Sequence, residues 1–221
     1  MSGAKTAADR QPMHRALDHS VQVTSELSAP IHSLVLAGGA SSRMGSDKAL
    51  LSYFGMPHVR HVAALLEEVA PPVYVSVRKS QVAEEALRGL RLLCDPVQNI
   101  GPMAGLLAAF AFDPGCAWLV VAVDLPGVTH ATLARLMAAR DSRLCATAYR
   151  IQGQDRPDPV CAIYEPGILP ALERAKREQR HSLMFLRGLP VQLVEPADPG
   201  ELQDANTPRE YRAVLSALQP A

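Results

Sequence analysis

The alternation of short apolar runs with longer helical patterns, from residue 31 onward, restricts the fold of this chain more than any other feature. Short β-branched or apolar runs predict buried strands, and apolar residues recurring every three or four positions predict helices. The predicted strands cover residues 31–37, 73–77, 92–94, 117–123, 144–149 and 191–194, with a further apolar segment at 159–164. The predicted helices cover residues 57–69, 81–88, 102–112, 129–139 and 169–178, with a last one beginning at Pro208.

A series of β-α-β units is typical of a sheet that is covered by helices on both faces. Right-handed crossovers then predict a three-layer α/β/α sandwich with a Rossmann-like, mostly parallel sheet. In such sheets ligands bind beyond the carboxyl ends of the strands. The loops after Ala37, Val77, Cys94 and Val123 are therefore where a functional site is expected.

Composition excludes several classes of protein. The 221 residues carry 22 Lys plus Arg and 22 Asp plus Glu, a formal net charge of zero, so no general field draws the chain to nucleic acid or an anionic membrane. The longest apolar stretches, at 103–112 and 117–123, are shorter than the roughly 20 residues of a membrane span. We expect a mobile extension over residues 1–30, which lack the apolar run of a signal peptide, and a single domain over residues 31–221.

The spacing of the cysteines predicts no disulfide framework or zinc motif, and the two histidines closest in sequence do not predict a metal site. The cysteines stand singly, without a C-x-x-C pair, at Cys94, Cys116, Cys145 and Cys161. We expect them to be reduced and buried, in a cytoplasmic protein. His58 and His61 are at helical spacing but have no evident further ligand, so we expect them on an exposed helix face.

The loop after the first strand is rich in glycine and carries two cations. Glycines at 38, 39 and 45 allow the backbone to approach a ligand closely and to direct N–H groups at it. Arg43 and Lys48 bring positive charge to the same loop, which predicts a polyphosphate site. The loop matches neither G-x-G-x-x-G nor a P-loop, and a simple strand-to-helix turn is the alternative.

Two carboxylates follow predicted strands. Asp124 comes after a buried apolar strand, where a magnesium ion would be its natural partner; the alternative is a cap for the helix that begins near Thr129. Asp95 follows another strand, and Gly101 and Gly105 beyond it leave room for a planar base or a ribose. Turn and N-cap chemistry would explain that second loop equally well.

Four segments carry a resemblance to a known family. They read LAGGASSRMGSDKALL at 36–51, DPVQNIGPMAG at 95–105, VAVDLP at 121–126 and DANTPREY at 204–211. Together they resemble the molybdenum cofactor guanylyltransferases (MobA type) of the nucleotidyltransferase superfamily, over about residues 31–215. The resemblance implies a fold of the nucleotide-diphospho-sugar transferase type. It also implies transfer of GMP from Mg-GTP to molybdopterin, which yields the dinucleotide cofactor and pyrophosphate.

The resemblance also implies roles for individual residues. The predicted catalytic residues are Lys48, Arg43 and Asp124, of which Asp124 is the magnesium ligand. The predicted nucleotide-binding residues are Leu36, Ala37, Gly38, Gly39, Lys48, Ser76, Asp95, Gly101 and Asp124. Asn206 and Arg180 are predicted on the acceptor side.

Some positions depart from the family pattern, mainly on acceptor loops. Asp204 stands where the family commonly has asparagine, and Asp158 stands where it often has histidine before Pro159. The alternatives are a cytidylyltransferase for molybdopterin, a nucleotidyltransferase acting on a sugar phosphate, or a non-catalytic carrier of a nucleotide or cofactor. The expected partners are GTP and molybdopterin, with molybdoenzymes or their chaperones as receivers of the product and with no nucleic acid or membrane.

Overall fold

The computed structural model describes residues 28–38, 55–97, 100–179 and 183–218. Within them lie seven β-strands: β1 Ile31–Leu36, β2 Val73–Val77, β3 Arg91–Cys94, β4 Ala117–Ala122, β5 Ala146–Arg150, β6 Pro157–Tyr164 and β7 Val191–Val194. The same residues contain five α-helices: α1 His58–Val69, α2 Pro102–Phe112, α3 His130–Ala138, α4 Leu169–Arg177 and α5 Pro208–Leu218.

All seven strands form one sheet in the order β3-β2-β1-β4-β6-β5-β7. β1 pairs in parallel with both β2 and β4, β2 pairs in parallel with β3, and β5 pairs in parallel with β7. β6 is antiparallel to its neighbours β4 and β5. Six strands therefore run in one direction, and the prediction of a mostly parallel sheet is confirmed.

Side chains that alternate along the strands build a separate core on each face of the sheet. Val35 and Val121 belong to the core that α1 and α3 cover, whereas Leu34 and Val120 belong to the core that α2 and α4 cover. The central strand β4 is buried along its whole length and on both faces, which explains why its sequence is apolar throughout rather than alternating. This arrangement is the three-layer sandwich that the sequence predicts.

The predicted helix over residues 81–88 is wrong. Two short 3-10 turns, Lys79–Gln81 and Glu85–Leu87, stand in its place. A helix there would need an apolar stripe facing the core, but Val82 is exposed, and Gln81 and Leu87 are the buried side chains of these two turns. In place of a helix, the Gln81 side-chain oxygen accepts local hydrogen bonds from the backbone amide and the guanidinium of Arg78.

The remaining elements agree with the sequence prediction to within a few residues at their ends, where boundaries are least well determined. β2, α2 and β7 have the predicted bounds, and the other helices lie inside the predicted ranges or begin at the predicted residue. The segment predicted at 159–164 is a longer strand, β6, that begins at Pro157 and runs against its neighbours. No helix among the described residues is both long and apolar enough to cross a membrane.

The described chain is anchored from its first residues. The Ala29 carbonyl accepts a hydrogen bond of 2.7 Å from the Arg140 guanidinium, which also forms a bidentate pair with buried Glu165 at 2.6 and 3.0 Å. The Pro30 carbonyl accepts a bond of 2.8 Å from the amide of Ala117, at the start of β4. Ala29 and Pro30 are therefore bonded to the folded domain.

We predict that removing residues 1–27 leaves the melting temperature unchanged. Residues 1–27 hold too little apolar surface to offset about 1–2 kcal/mol of backbone entropy for each ordered residue. Differential scanning fluorimetry of a chain that begins at Ser28 tests this. A chain beginning at Pro30 is the control; it should be less stable because it loses the Ala29 carbonyl that binds Arg140. A marked drop in melting temperature for the chain beginning at Ser28 would contradict the prediction.

Candidate active site

A cavity of about 560 Å³ opens at the carboxyl edge of the sheet. Its volume lies within the range of about 300–1,000 Å³ that is usual for small-molecule sites. It is lined by residues that follow β1 to β4, together with residues near the start of β6 and in the C-terminal segment. The predicted site residues among them are Leu36, Ala37, Gly38, Ser76, Asp95, Gly101 and Asp124.

Backbone hydrogen bonds continue the parallel ladders past the strand ends and into the cavity. The Ala37 amide donates to the Ser76 carbonyl at 3.0 Å, and the Asp95 amide donates to the Val77 carbonyl at 2.9 Å. The Val123 amide donates in the same way to the Leu36 carbonyl at 3.2 Å. The loops that carry the site are therefore held at their first residues by the sheet itself.

Ser76 and Asp95 form a buried polar corner of the cavity. The Ser76 hydroxyl donates to the Asp95 carboxylate at 2.5 Å, and Ser76 is almost fully buried. Burial raises the pKa of Asp95, while the bond from Ser76 and the nearby charge of Arg78 act in the opposite direction. This corner presents a carboxylate whose free oxygen can accept from a ligand donor.

Two glycines allow the chain to pack against this corner. A Cβ atom on Gly38 would overlap the Asp95 carboxylate. A Cβ atom on Gly105, in α2, would lie 2.5 Å from both the Ser76 hydroxyl and a Leu36 methyl group. Both glycines are therefore required by the close approach of three chain segments, and the polar corner depends on them.

The buried side chain of Gln81 holds Ala37, the first residue after β1. Its amide nitrogen donates to the Ala37 carbonyl at 3.1 Å, and its amide oxygen accepts from the Arg78 backbone at 2.8 Å. The segment after β2 is thereby joined to Ala37 at the end of β1. The sequence alone did not predict this role for Gln81.

A second acidic group faces the cavity beside Asp124. Asp158 lies near the amino end of β6, and because β6 is antiparallel that end meets the carboxyl ends of the other strands. Asp158 is 8% exposed, and burial raises its pKa, with the negative charge of Asp124 acting in the same direction. Backbone hydrogen bonds from Val160 and Cys161 oppose that rise in pKa. The cavity thus holds two neighbouring carboxylates, one of them buried.

The C-terminal segment adds a further carboxylate to the same wall. The Ala205 amide donates to the Asp124 carbonyl at 2.8 Å, which places Asp204 in the cavity lining. Asn206 is exposed and donates to the Asp204 carboxylate at 2.8 Å, without itself lining the cavity. The predicted acceptor residue Asn206 therefore lies beside the cavity and contacts it through Asp204.

The segment enters α5 through a reciprocal cap. The Glu210 amide donates to the Thr207 hydroxyl at 3.2 Å, and the Glu210 carboxylate accepts from the amides of Asn206 and Thr207 at 2.7 and 3.1 Å. With Pro208 as the first helical residue, this is a capping box. It holds the DANTP turn in the conformation that carries Asp204 to the cavity.

The structure contradicts the capping alternatives for the two predicted carboxylates. α3 is capped by the Thr129 hydroxyl, which accepts from the Thr132 amide at 3.3 Å, and not by Asp124. α2 begins after Gly101, whose φ of 60° favours glycine, and it has no side-chain cap, so Asp95 does not cap it. Both carboxylates instead line the cavity.

Two expectations about single residues are wrong. His58 is 1% exposed rather than on an open helix face, because it packs against Tyr211 of α5, whose hydroxyl lies 2.9 Å from its Nδ1. Burial, together with the charge of His61, lowers the pKa of His58 to about 3. Cys94, at the end of edge strand β3, is exposed rather than buried. All four cysteines are free, as expected.

Some predicted residues lie outside the described part of the chain: Gly39, Arg43, Lys48 and Arg180. Their roles remain predictions from the sequence. Four cavity or support residues were not assigned a role in the site by sequence reasoning: Gln81, Arg156, Asp158 and Asp204. The direction of β6 brings Arg156 and Asp158 to the site, and a single sequence does not reveal that direction.

Fold and site together define a nucleotidyltransferase-like protein. The chain belongs to the family described as MobA-like NTP transferase domain, whose model matches residues 33–193. It is 30% identical, over 200 residues, to the molybdenum cofactor guanylyltransferase of Xanthomonas euvesicatoria pv. vesicatoria. That match covers 86% of this chain and 96% of the relative.

Two further comparisons agree with this family. The chain is 34% identical over 183 residues to the molybdenum cofactor biosynthesis bifunctional protein of Synechocystis sp.; the match covers 82% of this chain but only 53% of that longer protein. The crystal structure of molybdopterin-guanine dinucleotide biosynthesis protein A from Archaeoglobus fulgidus matches the fold with a TM-score of 0.67 at 21% identity. That alignment covers 84% of this chain and 97% of the other, and it confirms the predicted fold class.

We predict that Gly105→Ala weakens nucleotide binding by about tenfold or more. A glycine in a helix normally gains stability on replacement by alanine, about 0.5–1 kcal/mol, but here the new methyl group displaces Ser76 from Asp95. A hydrogen bond to a charged group contributes about 1.5–3 kcal/mol. Calorimetric titration with GTP measures the effect. Gly167→Ala, which meets no atom within 4 Å, is the matched control and should bind normally.

We predict that Asp158→Asn raises the melting temperature at neutral pH. The folded-state pKa of Asp158 lies above its unfolded value, so ionisation costs stability as pH rises from the unfolded pKa through the folded one. An amide of the same size removes that cost and can still accept the 2.9 Å bond from the Val160 amide. Below about pH 4 both proteins carry a neutral side chain and the difference should disappear. Thermal scans at both pH values test this, with exposed Asp155→Asn as control; equal melting temperatures at pH 7 would contradict it.

Proposed function

We propose that this protein transfers GMP from Mg-GTP to molybdopterin, releasing pyrophosphate and forming the guanine dinucleotide cofactor. The observation that carries this proposal is the cavity of about 560 Å³ at the carboxyl edge of the sheet. It unites a polar corner at Ser76 and Asp95 with a pair of carboxylates at Asp124 and Asp158. The choice of substrates rests on the relatives, which are named molybdenum cofactor guanylyltransferases.

The acidic side of the cavity fits a divalent cation with a preference for oxygen ligands. Burial is the main cause that raises the pKa of Asp158, and the negative charge of Asp124 adds to that rise, so a cation beside both carboxylates would lower this cost. Carboxylate oxygens are the protein ligands that Mg²⁺ prefers. Asp124 would hold the ion, with Asp158 as the neighbouring carboxylate. When bound, magnesium neutralises phosphate charge and makes the α-phosphorus more electrophilic.

Different residues of the chain would bind the nucleoside, the phosphates and the acceptor. The Ser76–Asp95 corner and the backbone of Leu36 to Gly38 would hold the guanine and ribose. Arg43 and Lys48 would bind the phosphates. Arg156, which also lines the cavity, brings a further cation to the acceptor side.

The chemical step needs little covalent participation by the protein. An oxygen of the molybdopterin phosphate attacks the α-phosphorus in line and forms the new P–O bond. The bond between the α-phosphorus and the bridging oxygen breaks, and pyrophosphate leaves with the electron pair. A terminal phosphate is already ionised at neutral pH, so no general base is required. Positioning and charge stabilisation account for the rate enhancement.

Pyrophosphate release tests the proposal directly. The purified protein is supplied with magnesium, molybdopterin and each of the four nucleoside triphosphates in turn. Release with GTP alone among the four supports the proposal. Release with CTP identifies the cytidylyl alternative, and release only with a sugar phosphate as acceptor identifies the other nucleotidyltransferase. Tight GTP binding with no turnover would instead indicate a carrier.

We predict that Lys48→Ala lowers transfer by about a hundredfold or more without unfolding the protein. One charge-assisted contact to a transferring phosphate contributes about 3 kcal/mol, and each 1.4 kcal/mol is a factor of ten in rate. Steady-state kinetics with circular dichroism as a fold check measure the effect. Lys79→Ala, in the exposed turn after β2, is the control and should be fully active. Near-normal turnover of folded Lys48→Ala would rule out the phosphate role.

We predict that Asp124→Asn lowers magnesium-dependent activity far more than it lowers thermal stability. Loss of a charged oxygen ligand weakens the metal site, while an amide of equal size preserves packing. The rate should recover in part at higher magnesium concentration. Asp155→Asn changes an exposed carboxylate away from the cavity and serves as control. If Asp124→Asn unfolds and magnesium has no effect on its rate, the role of Asp124 is structural.

A further part of the proposal concerns where the protein acts and which proteins receive its product. We propose that the protein acts in the cytoplasm and delivers its product to molybdoenzymes or their chaperones. Co-purification of the tagged protein with such partners, and its recovery in the soluble fraction, test this. Its net charge of zero is consistent with a partner that is a protein rather than a nucleic acid.

A further inference from the structure

Three side chains with different metal-ligating atoms meet at the opposite edge of the sheet from the cavity. His32 is the second residue of β1, Asp113 follows α2, and Cys116 immediately precedes β4. The parallel register pairs Ile31 with Ala117, so β1 and β4 bring His32 and Cys116 together. This group, the His32–Asp113–Cys116 cluster, plays no part in the proposed nucleotide chemistry.

The three ligating atoms point at one another. The Cys116 sulfur lies 3.1 Å from Asp113 Oδ2 and 3.3 Å from His32 Nε2. His32 Nε2 lies 3.5 Å from the same carboxylate oxygen. One nitrogen, one oxygen and one sulfur therefore form a compact triangle.

The geometry of this triangle is close to that of a zinc site. Zinc binds sulfur at about 2.3 Å, nitrogen at about 2.0–2.1 Å and oxygen at about 2.0–2.2 Å, which places tetrahedral ligand atoms about 3.4–3.6 Å apart. The observed separations of 3.1–3.5 Å differ from those values by a few tenths of an ångström. A cation could enter with only a small outward movement of the side chains.

The surroundings hold each ligand in place. Asp113 Oδ1 accepts from the Gly115 amide at 3.0 Å, which turns Oδ2 toward the cluster. The imidazole of His32 packs against Trp118 and Tyr74, with ring centroids 5.3 and 5.8 Å away. The His32 and Asp113 side chains are 18% and 36% exposed, so solvent can reach the cluster and supply a fourth ligand.

We propose that His32, Asp113 and Cys116 form a binding site for zinc, or a similar thiophilic divalent cation, separate from the magnesium chemistry of the cavity. A mixed set of imidazole, thiolate and carboxylate selects such a cation over Mg²⁺, which prefers oxygen ligands alone. On binding, the S–H bond of Cys116 breaks, its proton passes to solvent, and the sulfur binds the metal. The cation then joins the start of β1 to the loop between α2 and β4, and because it binds the folded state it raises stability.

Titration of the full chain with Co²⁺, followed by competition with Zn²⁺, tests the proposal. Cobalt bound to a thiolate gives a sulfur-to-metal charge-transfer band, and one equivalent should saturate it. Zinc should abolish the band and raise the melting temperature. Cys116→Ser should lose the band, whereas Cys94→Ser, which changes an exposed cysteine outside the cluster, should keep it.

His32→Gln and Asp113→Asn provide a second test that leaves the thiol in place. Each should lower zinc affinity by at least about tenfold, since even the outer partners of metal ligands contribute about 10–100-fold. These variants decide the question if Cys116→Ser does not fold. Absence of a thiolate band in the unmodified protein, a band that survives Cys116→Ser, or unchanged zinc affinity in both His32→Gln and Asp113→Asn would overturn the proposal.

Discussion

Parallel pairing of β1 with β2 on one side and β4 on the other determines where every other functional element lies. It brings the carboxyl ends of the central strands to one edge and their amino ends to the other. The backbone amides of Ala37, Asp95 and Val123 extend the parallel hydrogen-bond pattern by one residue beyond the strand ends. The cavity at the carboxyl edge and the His32–Asp113–Cys116 cluster at the amino edge both follow from that one pairing.

The cavity at the carboxyl edge of the sheet contains polar groups whose burial is unfavourable. Asp95 is stabilised by Ser76, and the contact is possible because Gly38 and Gly105 leave no side-chain volume between the segments. Asp158 lies buried near the negative charge of Asp124, an arrangement that is unfavourable without a cation. Such a cost is typical of sites whose groups are arranged for a charged ligand.

Much of the architecture could be predicted from local pattern. Pro102 and the apolar run after it predicted the bounds of α2. A continuous apolar run such as that of β4 predicted a central strand, because a strand that is buried on both faces is apolar throughout. The same approach failed at residues 81–88, where helix-forming residues lack a buried stripe. It also gave no direction for β6, because an antiparallel strand buried in a parallel sheet looks like its neighbours.

The predicted site followed strand ends, so it included Asp95 and Asp124 but gave no role to Asp158, which enters from the start of an antiparallel strand. Gln81 and Asp204 were missed because their roles depend on contacts between segments far apart in the sequence. The His32–Asp113–Cys116 cluster has the same origin, with 84 positions separating its histidine from its cysteine. Spacing motifs detect ligands on one element and cannot detect ligands joined by strand pairing.

A crystal structure of the protein with magnesium and a non-hydrolysable GTP analogue tests the central claim most directly. We expect the guanine and ribose against Leu36 to Gly38 and the Ser76–Asp95 corner, with the cation on Asp124 and the α-phosphate facing Asp158. That result would show that the strand ends build one site for nucleotide and metal. A nucleotide bound elsewhere, or bound in the cavity with its phosphates turned away from Asp124, would contradict the claim.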